Sequence, residues 1–219
     1  MSLDPNQSAK SSFPLIPEGN HPARCFAIVD IGKHYFMGIK DKQPSQKVML
    51  CFEFTKFMHS SKEGEDKQPL IICQEYSFAL GDKATLPKVL KSWGKLSKPI
   101  EKLNIAPYLG QFCSIEIEHN PSKKDPAKIY ANIAYKGQAI KPLNGEKPKK
   151  HNKDILFDLD NFSWDAFNSL PFLPKKKLQE SCDWSGITAK HPKPIEQGMA
   201  SSQEDEENDL IQNDDSPNF

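Results

Sequence analysis

The stretch LIICQEYSFALGDKATLPKVLKSW, residues 70–93, changes its hydrophobic period halfway along. In its first half Leu70, Ile72, Tyr76, Phe78 and Leu80 fall on one face of an extended chain, the period of two that a strand requires. In its second half Leu86, Val89, Leu90 and Trp93 recur at i, i+3, i+4 and i+7. That spacing predicts an amphipathic helix with Thr85 as its cap, Pro87 in its first turn and Gly94 as its stop. Upstream, Ala23 to Ile31 alternates as a strand with two unlike faces, Ala23, Cys25, Ala27, Val29 and Ile31 against Arg24, Phe26, Ile28 and Asp30. Lys47 to Phe54 puts Val48, Leu50, Phe52 and Phe54 on one face, and the charged loop His59 to Gln68 joins it to the strand at Leu70 as a hairpin. Downstream, a second short helix is expected after Ser97, and strands return in Phe112 to Glu118 and in Ile129 to Tyr135.

Three strands, a helix and two strands make a mainly β chain in the element order of the OB-fold, a five-stranded Greek-key barrel with its helix between strands three and four. A small α+β sheet gives the same string. The polar residues 1–12 read as disordered, 13–140 as the barrel, and 141–185 as a lysine-rich linker followed by a short helical extension. In that extension Phe157, Phe162, Trp164, Phe167 and Phe172 are too many aromatics to leave in water, so it is expected to dock on the barrel. Residues 186–219 read as a disordered acidic tail.

The chain has 219 residues, with 29 Lys and Arg, 29 Asp and Glu, and a formal net charge of zero. The zero is an average of two unlike parts. Residues 199–219 hold seven acids and no base, which leaves 29 bases against 22 acids in the rest, a body of about +7. Arg24 is the only arginine. Lysine suits attraction to phosphate, whereas reading base edges favours arginine, so a nucleic-acid partner would be bound with little regard to sequence. No apolar run approaches a membrane span and the N-terminus lacks a secretory pattern, which points to the cytoplasm. Five cysteines, an odd number with no C-x-x-C spacing, read as buried free thiols and not as a disulfide framework or a zinc site.

No phosphate loop, nucleophile elbow or H-E-x-x-H pair is present, so neither an enzyme nor a cofactor is expected. Glu116, Glu118 and His119, or Asp158 and Asp160, could in principle hold a cation, but such pairs are ordinarily a solvated face. Glu53 and Lys56 only faintly resemble a nuclease core. Binding to single strands needs lysines for the phosphates and aromatic faces for the bases. Tyr35, Phe36, Phe54, Tyr76 and Tyr130, interleaved with Arg24, Lys33, Lys47, Lys56, Lys124, Lys128 and Lys136, are the candidates. Tyr35, Phe36 and Tyr130 are the first choices for stacking, while Trp93 and Phe78 look like core. In an OB-fold this surface is the face of strands two and three with the loops after strands one and four.

The tail ends in Asp214-Asp215-Ser216-Pro217-Asn218-Phe219, which resembles the C-terminal tip of bacterial single-stranded DNA-binding proteins, except that Asn218 separates proline from phenylalanine. Asp214, Asp215, Pro217 and Phe219 would be the residues that a partner captures. In the body, Pro17-Glu18-Gly19, Cys25 to Gly32, Lys47-Val48, Glu75-Tyr76, Leu90 to Trp93, Leu109-Gly110, Tyr130-Ala131 and Leu170-Pro171 resemble a family of bacteriophage OB-fold replication proteins that bind single-stranded DNA. The resemblance covers roughly residues 13 to 180. It implies a protein that coats single strands in phage replication or recombination in the host cytoplasm, recruits replication or recombination proteins through its tail, and could form a homo-oligomer. Two other readings fit the same sequence, an OB-fold adaptor that binds only protein and a metal-dependent nuclease.

Overall fold

A computed structural model of the chain describes residues 14–60, 65–81, 84–94, 104–122, 125–134 and 138–193. The fold is mainly β. Strands β1 (Gly19–His34), β2 (Ser45–His59), β3 (Gln68–Ser77), β4 (Phe112–Pro121) and β5 (Ile129–Ile133) form one antiparallel sheet in the order β3-β2-β1-β4-β5, with helix α1 (Thr85–Ser92) between β3 and β4. The sheet curls into a half-barrel, so that residues of its two outer strands, β3 and β5, come within 8 Å of each other at Cα. All five expected strands and the helix are present, although β3 stops at Ser77 short of the expected Leu80, and Tyr135 lies outside the described residues. Thr85 is the first helical residue, with Ala84 as the cap position. Gly94 ends the turn at a positive φ of 88°, as a stop residue should. The second helix expected after Ser97 lies outside the described residues.

The concave side encloses the first core. Val48, Leu50, Phe52 and Phe54 of β2 face it together, as their spacing requires, with Ile72 and Tyr76 of β3 and Ile115 and Ile117 of β4. Leu86, Val89, Leu90 and Trp93 bring the apolar stripe of α1 into the same cluster. Trp93 lies between the rings of Phe52 and Tyr108, at centroid distances of 5.8 and 4.9 Å, and its indole N–H donates to the Phe112 carbonyl at 3.2 Å. The Tyr108 hydroxyl donates to the Leu90 carbonyl, and burial pushes its pKa up to about 12.

Strand β1 is covered on both sides, and a bulge allows it. The register shifts between Cys25 and Ala27, so Ala23, Cys25 and Ile28 face the first core while Phe26, Ala27, Val29 and Ile31 face outward. Strict alternation would have kept Ala23 and Ile31 on one face; the extra residue sends them to opposite ones. The outward set joins Met49, Cys51 and Cys73 in a second core completed by the C-terminal extension. That extension comprises β6 (Ile140–Pro142) on β4, β7 (Ile155–Phe157) running parallel to β1, and helices α2 (Trp164–Asn168), α3 (Phe172–Gln179) and α4 (Trp184–Lys190). Ser163 caps α2 by accepting from the Ala166 N–H at 3.2 Å. Phe157, Phe162, Phe167, Leu170, Leu178 and Ile187 are buried against the sheet, so the aromatic segment docks as its composition required, and its helices run on past residue 185.

Two expectations change here. Cys51 and Cys73 are register partners on β2 and β3, with Cα atoms 4.0 Å apart, and are joined in a disulfide. An odd count of cysteines is blind to such cross-strand pairing. Cys25 and Cys113 are free and buried, which raises both thiol pKa values, and Cys182 is free and exposed. Phe78 is not core: β3 ends at Ser77, the Phe78 N–H turns back to the Gln46 carbonyl at 2.8 Å, and Phe78 and Leu80 are left exposed. Among the described residues, no helix is long and apolar enough to cross a membrane.

The end of β1 meets the α3–α4 junction closely. Gly32, at φ 78°, has no room for a Cβ, which would come within 3.0 Å of Ser181 and Asp183. The Cys182 N–H donates to the Lys33 carbonyl at 2.8 Å, and Asp183 accepts from the Lys33 N–H at 2.7 Å. Beside this contact Asp30 accepts from the Gly32 N–H and the Gln46 amide. Burial raises its pKa above the ordinary 3.8, against those hydrogen bonds, and the nearby charges of Asp158 and Asp183 add to the rise. A carboxyl held more tightly protonated in the folded state makes stability fall as pH climbs above 3.8. Asp30→Asn keeps an acceptor oxygen and removes the titration. In denaturant melts its stability relative to the parent protein should therefore rise between pH 4 and pH 7; a pH-independent difference would refute this account.

Candidate nucleic-acid interface

Residues 143–154 cross the outer side of the sheet as a strap between β6 and β7, and a buried ion pair holds them there. Arg24 on β1 and Glu53 on β2 are cross-strand partners, 2% and 0% exposed, with Nη1 2.6 Å from Oε1. Arg24 also donates to the Asn152 carbonyl at 3.2 Å and pairs with Asp154 through Nη2. Glu53 accepts from the His151 N–H at 3.3 Å, the Asn152 N–H at 2.7 Å and the Asn152 side-chain amide at 2.8 Å. The two buried charges thus satisfy each other and fix the strap at the same time. Lys141, Lys147, Lys149, Lys150 and Lys153 are exposed along and beside it. The Lys147 ammonium stands 5.7 Å from the centroid of the half-buried Phe112 ring. The strap lysines are the basic residues that the sequence reading passed over: the run Lys147 to Lys153 is plain in the sequence, but a linker gave no reason to expect it to lie on the sheet.

The candidates that stay accessible fall at two ends of the sheet. Lys33 lies in β1 just before its end at His34, and Tyr35 and Phe36 follow the strand, where Phe36 is 39% exposed and Lys42 lies 5.1 Å from its ring centroid. Exposed Lys40 and Ile39 belong to the same loop, and Tyr35 is half-buried. Lys56, Lys128 and Tyr130 lie at the other end, near the start of β1: Gly19 pairs with Ile117, and Tyr130 pairs with Asn120 in the β4–β5 hairpin beyond it. Lys56 and Lys128 are exposed, Tyr130 is half-buried, and Met58 and Ile129 expose apolar surface on the same strands.

Four candidates are corrected. Arg24 and Lys47 are buried in ion pairs, Arg24 as above and Lys47 with Glu75 at 3.2 Å, so neither side chain is free to meet a phosphate. Phe54 and Tyr76 are core side chains, 0% and 6% exposed, because both point to the concave face of the sheet, and burial raises the Tyr76 pKa. The face of β2 and β3, which the OB-like element order made the expected binding surface, is covered on its outer side over Met49, Cys51 and Cys73 by the extension. Lys124, Lys136, Asp214, Asp215, Pro217 and Phe219 lie outside the described residues.

Several of the carboxylates considered for a cation are engaged elsewhere. Glu53 is the counter-ion of Arg24, and Asp158 accepts from the Asp160 N–H and the Asn161 amide in a turn. The His119 ring bonds the Ile16 carbonyl at 2.8 Å, and Glu118 accepts from the Asn120 amide. Among the described residues, no three His, Cys, Asp or Glu side chains come together in a way that could hold a metal ion. Set against known proteins, the chain matches no family model, and no curated protein is significantly similar to it.

Removing one member of the buried pair leaves the other as an uncompensated charge. Arg24→Ala or Glu53→Ala should each cost about 3–5 kcal/mol of stability, whereas the double change Arg24→Met with Glu53→Leu should cost less than either alone. Urea melts of the three variants decide the point. Additive losses in the double variant would show that the two side chains act separately.

Proposed function

We propose that this protein binds single-stranded DNA without sequence preference, coats it during replication or recombination, and does so on a barrel of the OB type. The observation that supports this most is the strand order β3-β2-β1-β4-β5 with β3 and β5 drawn together and a helix between β3 and β4, which is the order of strands around an OB barrel. The chemistry of the accessible surface agrees. Its cations are lysines, which attract phosphates without reading bases, and aromatic rings stand beside them at both ends of the sheet. With the outer face of β2 covered by the extension, the strand would meet the protein through the loop at Tyr35 and Phe36 and the hairpin at Lys128 and Tyr130. In this reading the acidic residues 199–219 serve to recruit partner proteins.

A labelled oligothymidine should bind with an affinity that falls steeply with salt, with a log-log slope of about −0.7 per phosphate neutralised, and a duplex of equal length should bind more weakly. Phe36→Ala, Tyr35→Ala and Tyr130→Ala should each weaken binding by roughly 1–3 kcal/mol with little loss of stability. Phe54→Ala, a core truncation, should instead cost about 3–5 kcal/mol of stability. A flat salt response, or a duplex bound as tightly as the single strand, contradicts the proposal and favours the protein-only adaptor.

A further inference from the structure

The strap carries Lys147, Lys149, Lys150 and Lys153 with His151 in seven residues. Such a run is ordinarily a solvated loop, free to spread its charges apart. Here the backbone between them is tied down: Asn152 bonds Glu53 through its N–H and side-chain amide and gives its carbonyl to Arg24. The fold therefore confines like charges that would otherwise separate. The strap's own two acids offset only part of this charge: Glu146 adjoins Lys147 in the chain, and Asp154 is shared between Arg24 and Lys150. Holding unbalanced lysines on a fixed segment opposes folding unless a polyanion meets them.

We infer that the strap is a phosphate-contacting rail for the single strand, with Phe112 as a stacking position beside it. The inference rests on the single-strand-binding reading and adds a third contact region to the two ends of the sheet. Phe112 decides between a nucleic acid and an acidic protein. Its ring is half-buried on the strand next to Arg24, with Lys147 at 5.7 Å, so one base could lie on the ring while its own phosphate meets the ammonium. Carboxylates alone would meet the lysines and leave the ring unused. A strap with lysines as its cations also imposes no base preference, in keeping with a protein that coats any strand.

The test uses the full-length protein and a fluorescein-labelled oligothymidine over a series of salt concentrations. Lys147→Gln, Lys149→Gln and Lys153→Gln combined should reduce the steepness of the log Kd against log salt plot by about two, at roughly 0.7 per lost phosphate contact, with a melting temperature no lower than that of the unaltered protein. Phe112→Leu should weaken binding several-fold and leave the slope as it was. In the unaltered protein, acetylation of Lys147, Lys149 and Lys153 by a lysine-reactive ester should be slowed by the oligonucleotide, a readout that requires no variant to fold. An unchanged slope together with unprotected lysines overturns the strap inference while leaving single-strand binding through the two ends intact. If the unaltered protein fails to bind oligothymidine even at low salt, the functional reading falls and the inference falls with it. Loss of binding to an acidic peptide of residues 199–219, with oligothymidine binding retained, would overturn the inference by making the strap a protein-docking surface.

Discussion

Arg24 and Glu53 occupy opposed positions on two central strands, on the side of the sheet away from the first core. Burying two charges there costs several kcal/mol per ion in lost hydration, and mutual attraction offsets it only when the remaining donors and acceptors are also met. Residues 151–154 meet them. The consequence runs along the chain. With Asn152 and Asp154 fixed, Ile155 to Phe157 enters beside β1 as a parallel strand, and Phe157 begins the aromatic layer that covers Val29, Met49 and Cys51. The sheet without its strap would carry an unsatisfied ion pair and a bare apolar face together.

The architecture was legible in the sequence wherever a single period governed a segment. Val48 to Phe54 and Leu86 to Trp93 each present one face to one core, so counting residues places them correctly. It failed where a segment faces two cores. In β1 a bulge exchanges the faces halfway along, and no residue type in Cys25-Phe26-Ala27 announces it. The cross-strand disulfide belongs to the same class of feature: Cys51 and Cys73 meet only because the β2–β3 register places them opposite each other. Register is a property of pairs of strands, and a period is a property of one.

The candidate site was legible in its exposed residues and less so in its buried ones. A surplus of lysine over acid in the body and aromatic residues near strand ends are visible in composition, and Phe36, Lys33, Lys56 and Lys128 are indeed exposed. Phe54 and Tyr76 share the alternating pattern of the core, and the pattern should have outweighed their ring chemistry. Arg24 misled for a different reason. A lone arginine in a lysine-rich chain looks like a contact residue, yet its planar fork is also the cation best suited to a buried network, and that is where the fold uses it.

The parallel pairing of β1 with β7 carries a consequence for how the molecule is made. The bond from Arg24 to Asn152 spans 128 residues, and the five strands of the sheet are complete by Ile133, before the strap and extension have left the ribosome. During that interval Val29, Met49, Cys51 and Cys73 form an uncovered apolar face on a nearly complete sheet, the kind of surface on which chaperones act and aggregates grow. Contacts so distant in sequence form late. Residues 140–190 therefore act on the rest of the chain as an in-built chaperone that arrives last and stays, and a fragment ending near residue 140 would remain permanently in the state that the complete chain only passes through.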